Sequence, residues 1–117
     1  MQKIYHLASC STNQRILAEV KPGKKVVMQE IKTEPITAAQ IDEMKKLAGS
    51  YEALFSRRAL KYKEMGLASK KLTEADYRRL ILAEYTFLKR PVMLLGDRIF
   101  VGNAPKTVEE AVAAFSK

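Results

Sequence analysis

The 117-residue sequence predicts an α/β fold: a four-stranded mixed sheet with a helical block between its second and third strands. Three observations predict it. Four short apolar runs, "KIYHL", "VVMQEI", "VMLL" and "RIFV", read as strands. Residues 37–88, between the second and third runs, change to helical spacing. The last two runs are separated only by Gly96 and Asp97, the spacing of a hairpin.

Taken in order, "KIYHL" leads through a loop into "STNQRILAEV", where Ile16, Leu17 and Val20 fall on one helical face. Ser11 or Thr12 suits the N-cap of that helix. "KPGKK" is a turn, and "VVMQEI" then completes a β-α-β unit whose strands should be parallel with a right-handed crossover. Thr37 to Gln40 spells a capping box ahead of Ile41, Met44 and Leu47, and Gly49 ends that helix. Ser50 can cap a further helix through "YEALFSRRALKYKEMG", broken near Arg58. A second box, Thr73 to Asp76, precedes the stripe Tyr77, Leu80, Ile81 and Tyr85. Pro91 opens the third strand. After the hairpin, a box at Thr107 to Glu110 starts a last helix that buries Val108, Ala111, Val112 and Phe115.

Composition bounds the function. The chain is long enough for one core without staples, and its single cysteine excludes an internal disulfide. Without an N-terminal apolar run of signal length or any run of membrane-spanning length, no membrane is expected, and the cytoplasm is the expected compartment. The net charge is +8, and the window from Arg57 to Arg98 holds eleven basic and five acidic residues. Such a field draws anions at long range, although most of these side chains would serve equally as a solvated surface. No zinc-finger or RNP motif and no tryptophan is present, so nucleic acid is not the expected partner. No metal site is expected.

The element order, βαβ then ββα around a connection, is that of the thioredoxin fold, with its sheet ordered 4-3-1-2. By that analogy the whole of residues 1–117 forms one thioredoxin-like domain. Its core would be 1–36 and 89–117, with 37–88 a helical insertion. The analogy also sets Cys10 at the start of the first helix and Pro91, as a cis-proline, across from it.

The strings "IYHLASCSTNQRIL", "YKEMGL", "LKRPVMLL" and "IFVGN" make the match narrower. In this order they resemble the glutaredoxin-linked arsenate reductase family (ArsC-type), with its Spx relatives. The resemblance implies a catalytic loop of His6, Cys10 and Thr12 and an anion-binding arginine at Arg90. Two further reductase arginine positions fall on Ser56, beside Arg57 and Arg58, and on Val101, in a "VGN" ending like that of Spx. The second cysteine of the Spx C-x-x-C is Asn13 here.

The chemistry follows from these residues. A thiol attacks only as thiolate, and a helix N-terminus favours that charge with unpaired N–H groups and its dipole. Cys10 therefore reads as nucleophile, with His6 as the neighbour that influences its ionisation. Ser11, Thr12, Asn13, Arg90, Pro91, Arg57 and Arg58 are the expected lining of an oxyanion or glutathione pocket. Packed readings stand beside these: Cys10 as a small buried hydrophobe, His6 as a satisfied strand histidine. Three functions remain open. One is a thiol-dependent oxidoreductase with arsenate as oxyanion, glutathione as co-substrate and glutaredoxin or another external thiol as partner. The second is a Spx-like regulator binding a protein such as RNA polymerase. The third is a family member whose thiol is inert. No tightly bound cofactor is expected.

Overall fold

The computed structural model describes residues 2–116; Met1 and Lys117, the ends of the expected core, lie outside the described residues. Chain contacts divide the protein into two compact units, one of residues up to Glu34 together with those from Arg90 on, the other Pro35–Lys89.

The first unit carries the sheet. Strands β1 (Gln2–His6), β2 (Val27–Glu30), β3 (Val92–Leu95) and β4 (Arg98–Val101) lie in the order β2-β1-β3-β4. This is the expected order read in reverse. β1 and β2 are parallel, with Lys3 opposite Val27 and His6 opposite Glu30. β3 runs antiparallel to both β1 and β4, with Tyr5 opposite Val92 and Leu95 opposite Arg98. Gly96 makes the β3–β4 turn at φ 64, a backbone conformation that glycine adopts without steric cost.

One face of this sheet is covered by α1 (Ser11–Val20) and α5 (Pro105–Phe115). Ile4, Ile16, Val20, Met93, Phe100, Val108, Ala111 and Ala114 form that core. Ile4, Ile16 and Met93 are fully buried, each worth about 1.5–3 kcal/mol of apolar transfer. Two start signals are corrected here. α1 is capped by Cys10, not by Ser11 or Thr12, because the Cys10 carbonyl already accepts the Gln14 N–H at 3.1 Å. α5 starts two residues ahead of the Thr107 box, at Pro105, whose fixed φ and missing N–H suit the first helical position. On α5 the fully buried stripe is Val108, Ala111 and Ala114, with Val112 and Phe115 half-covered.

The second unit is helical. α2 (Ala38–Ala48) has the Thr37–Gln40 box closed in both directions and ends at Gly49 with φ 101. α4 (Glu74–Ala83) has the Thr73–Asp76 box closed as well, the aspartate reaching despite its length. Tyr77, Leu80 and Ile81 are buried as expected, whereas Tyr85 lies past the helix in a 3-10 turn, Tyr85–Phe87.

The helix expected after Ser50 does not form. One 3-10 turn, Glu52–Leu54, is followed by extended chain at Phe55, a turn at Arg57 and Arg58 where the break was expected, and then a five-residue α3 (Leu60–Glu64) that buries nothing. Ser50 Oγ does accept the Ala53 N–H at 3.1 Å, so the capping signal is real but short-lived. What overrides it is a β-bridge between Phe55 and Leu88. Ser56 donates its N–H to Phe87 O at 2.7 Å, and Lys89 donates to Leu54 O at 2.8 Å. Phe55 is thereby sunk among Tyr77, Phe87 and Tyr62, with ring centroids 4.9, 5.0 and 5.9 Å away.

Candidate functional site

β1 ends at His6, and four residues later the chain enters α1 at Cys10. The loop between is held by side chains that come from α1 and β2. Asn13 Oδ1 accepts the Leu7 N–H at 2.9 Å. Gln14 Nε2 donates to Ala8 O at 2.6 Å, and Glu30 Oε2 accepts the Ala8 N–H at 2.8 Å. The Cys10 N–H turns back to Leu7 O at 3.0 Å. Both polar groups of Leu7 and of Ala8's peptide are therefore engaged, and the loop's shape is over-determined.

Cys10 sits at φ −90, ψ 115 as the N-cap of α1, half-buried, and no side chain caps the helix. The first-turn N–H groups of α1 therefore face the thiol end without a capping oxygen, and no acidic residue in that turn cancels the dipole. Asn13 Nδ2 donates to Cys10 Sγ at 3.5 Å. At 2% exposure, Asn13 is turned inward and spends its amide on the loop and the sulfur. It lies beneath the loop rather than on an exposed face, although the sequence reading sets it in the lining of a ligand pocket.

The antiparallel register of β1 and β3 brings the start of β3 to the end of the sheet where β1 gives way to the Cys10 loop. Pro91, buried, stands there after a cis Arg90–Pro91 peptide bond, with its carbonyl accepting the Gly102 N–H at 2.9 Å. Arg90 is half-buried beside it. His6, Cys10, Asn13, Arg90 and Pro91 thus share one end of the sheet, and Ser11 and Thr12 form the first turn of α1 there. No hydrogen bond joins the His6 ring to Cys10. In the helical unit Arg57 is committed locally: Nη2 donates to Glu52 Oε2 at 2.8 Å and to the Tyr77 hydroxyl at 2.9 Å. The bond to Glu52 makes the Arg57 guanidinium hold its proton more firmly than an ordinary arginine does. Arg58 is exposed.

Glu30 is the support that sequence reasoning missed. Besides Ala8, its carboxylate accepts the N–H groups of Lys32 and Thr33, both at 2.9 Å. Burial disfavours its charge, yet these backbone donors and the Thr33 hydroxyl outweigh burial and lower its pKa. The only sequence signal was a charged residue closing an apolar run. A groove between α1 and α5, lined by Arg15, Ala18, Lys21, Pro105, Val108 and Val112, includes none of the loop residues.

Chemically, this end of the sheet can present a nucleophilic sulfur and hold an anion at helix N–H groups. It holds no second thiol, so a sulfur adduct has to be resolved from outside the chain. Among the described residues no group of three or more His, Cys, Asp or Glu side chains could hold a metal ion. Nor is any helix among them long and apolar enough to cross a membrane.

The same architecture recurs in solved structures. A candidate arsenate reductase from Yersinia pestis superposes with a TM-score of 0.76 at 22% identity, covering 94% of this chain and 99% of that one. An arsenate reductase from Vibrio cholerae gives 0.72 at 20% identity, with 94% and 96% covered. Among curated proteins, the uncharacterized protein YfgD of Escherichia coli (strain K12) is 27% identical over 114 residues, 94% of this chain and 95% of its own. The ArsC family model matches residues 5–111, a span that runs from β1 through the Cys10 loop, the helical unit and Pro91 into α5; the chain belongs to the ArsC family.

Proposed function

We propose that the protein is a thiol-dependent oxidoreductase acting on a small oxyanion such as arsenate, with Cys10 as nucleophile. The observation that carries this reading is the half-buried Cys10 sulfur at the N-cap of a helix whose first turn has neither a side-chain cap nor an acidic residue. In the arsenate case the Cys10 thiolate bonds to arsenic(V) and hydroxide leaves, while the α1 N–H groups and Arg90 hold the remaining oxygens. A second thiol, glutathione by class, then attacks the Cys10 sulfur. The S–As bond breaks with its electron pair on arsenic, which departs as arsenic(III), and a mixed disulfide remains on Cys10. A further thiol such as that of glutaredoxin reduces it and restores the thiolate.

The test is a coupled NADPH assay with arsenate, glutathione and glutaredoxin. Wild type should turn over and Cys10→Ser should fall to background with its fold intact, since a serine hydroxyl is nearly isosteric and far less acidic. Equal background rates in both proteins reject the reading.

A second reading, a Spx-like partner-binding protein without turnover, is favoured by α3. That helix buries nothing, leaves Leu60 79% exposed, carries Lys61 and Lys63 and follows the exposed Arg58. A protein partner such as RNA polymerase would be captured independently of Cys10 and released by salt. Charge reversal at Arg57 and Arg58 in a pull-down decides between the two.

A further inference from the structure

The inference rests on Cys10 as the reacting thiol and concerns what holds it. We infer that Asn13 is a positioning residue for the Cys10 thiolate, occupying the place where a second cysteine would otherwise resolve the adduct. The orientation of the Asn13 amide is dictated by its neighbour. The Leu7 N–H is a donor, so only the amide oxygen can accept it at 2.9 Å, and the amide nitrogen must then face the sulfur at 3.5 Å. At 2% exposure the amide is shielded from water that would compete for either bond. Asn13 is the third residue of α1, and a side chain there reaches back to the N-cap, as in a capping box.

An N–H donor discriminates between the two states of sulfur. A thiolate accepts it fully, a neutral thiol weakly. Titratable or charged side chains at this end of the sheet include His6 at the end of β1, Glu30 at the end of β2 and Arg90 before β3. A change at Asn13 leaves all three in place. The same donor serves the last step. When an external thiol attacks the mixed disulfide, the S–S bond breaks, the electron pair goes to Cys10, and the amide receives the departing thiolate. A leaving thiolate stabilised in this way leaves faster. An amide cannot itself attack the adduct, so the adduct waits for an outside thiol.

Asn13→Asp is the discriminating variant. It keeps an oxygen for the Leu7 N–H but replaces the sulfur's N–H donor with a negatively charged acceptor. Iodoacetamide alkylation of Cys10 followed against pH should shift to higher pH and slow about tenfold at pH 7. Reduction of a Cys10–glutathione mixed disulfide by dithiothreitol should slow as well. Superimposable profiles for variant and wild type would overturn the inference. Should the variant not fold, the wild type supplies the measurement. The Asn13 side-chain amide resonances should move as the Cys10 thiol is titrated and stay still in Cys10→Ser; no movement in wild type overturns it too. A shifted profile beside absent arsenate turnover keeps the inference and removes the arsenate reading. Unshifted profiles beside Cys10-dependent turnover do the reverse.

Discussion

Glu30, at the end of the edge strand β2, accepts the backbone N–H of Ala8 at 2.8 Å and so ties the Cys10 loop to a strand 22 residues away. Its carboxyl titrates below the usual glutamate value of about 4.3 because backbone donors outweigh its burial. The ionised tie contributes in full above that value and is lost as the pH falls through the lower folded one. Glu30→Gln should therefore speed amide exchange at Ala8, Lys32 and Thr33 at neutral pH and have little effect at acid pH. Because the group is largely solvated, the expected global loss is below about 1 kcal/mol. Unchanged exchange at Ala8 would show that the tie does not hold the loop.

Arg90→Ala should weaken oxyanion binding about tenfold or more and change stability little. A charge-assisted bond to an anion outweighs the packing of a half-buried arginine. Calorimetric titration with arsenate or sulfate reads the effect. Equal affinity in both proteins would place Arg90 outside the site.

In the helical unit Asp42 receives Arg78 Nε at 2.8 Å and Nη2 at 3.2 Å, and also the Tyr51 hydroxyl at 2.6 Å. The guanidinium, then the hydroxyl, lower the Asp42 carboxyl to about 2. The pair joining α2 to α4 is intact above the unfolded value of about 3.9 and disappears as pH falls towards 2. The melting temperature of Asp42→Asn should lie below that of wild type at pH 7, and the gap should close by pH 2. A gap independent of pH would assign the effect to something other than the charge.

Phe55→Ala should be among the most costly single changes, about 3–5 kcal/mol, since a fully buried ring with three aromatic neighbours leaves a cavity. Urea unfolding measures it. A loss under 1 kcal/mol would mean that the surrounding rings collapse into the space.

Much of the fold is local enough to be written in consecutive residues. The Thr37 and Thr73 boxes close within one turn of chain, Gly49 stops its helix by its own φ, and two residues at Gly96 and Asp97 suffice to reverse a strand. Most of the stripes of α1, α4 and α5 follow from spacing, whereas the place of Cys10 ahead of α1 comes from the analogy of element order. The partners of Phe55 were not. A run with helical spacing was pulled extended by a bridge to Leu88, 33 residues away, because Phe55 buried among three rings outweighs a few tenths of a kcal/mol of helix propensity per residue. The same holds at the site. Sequence placed the sulfur at a helix start, but only the parallel register of β1 and β2, with His6 opposite Glu30, brings a carboxylate to Ala8. Only the closed loop turns Asn13 inward, because its buried oxygen must satisfy the Leu7 N–H and the nitrogen is then left facing the thiol.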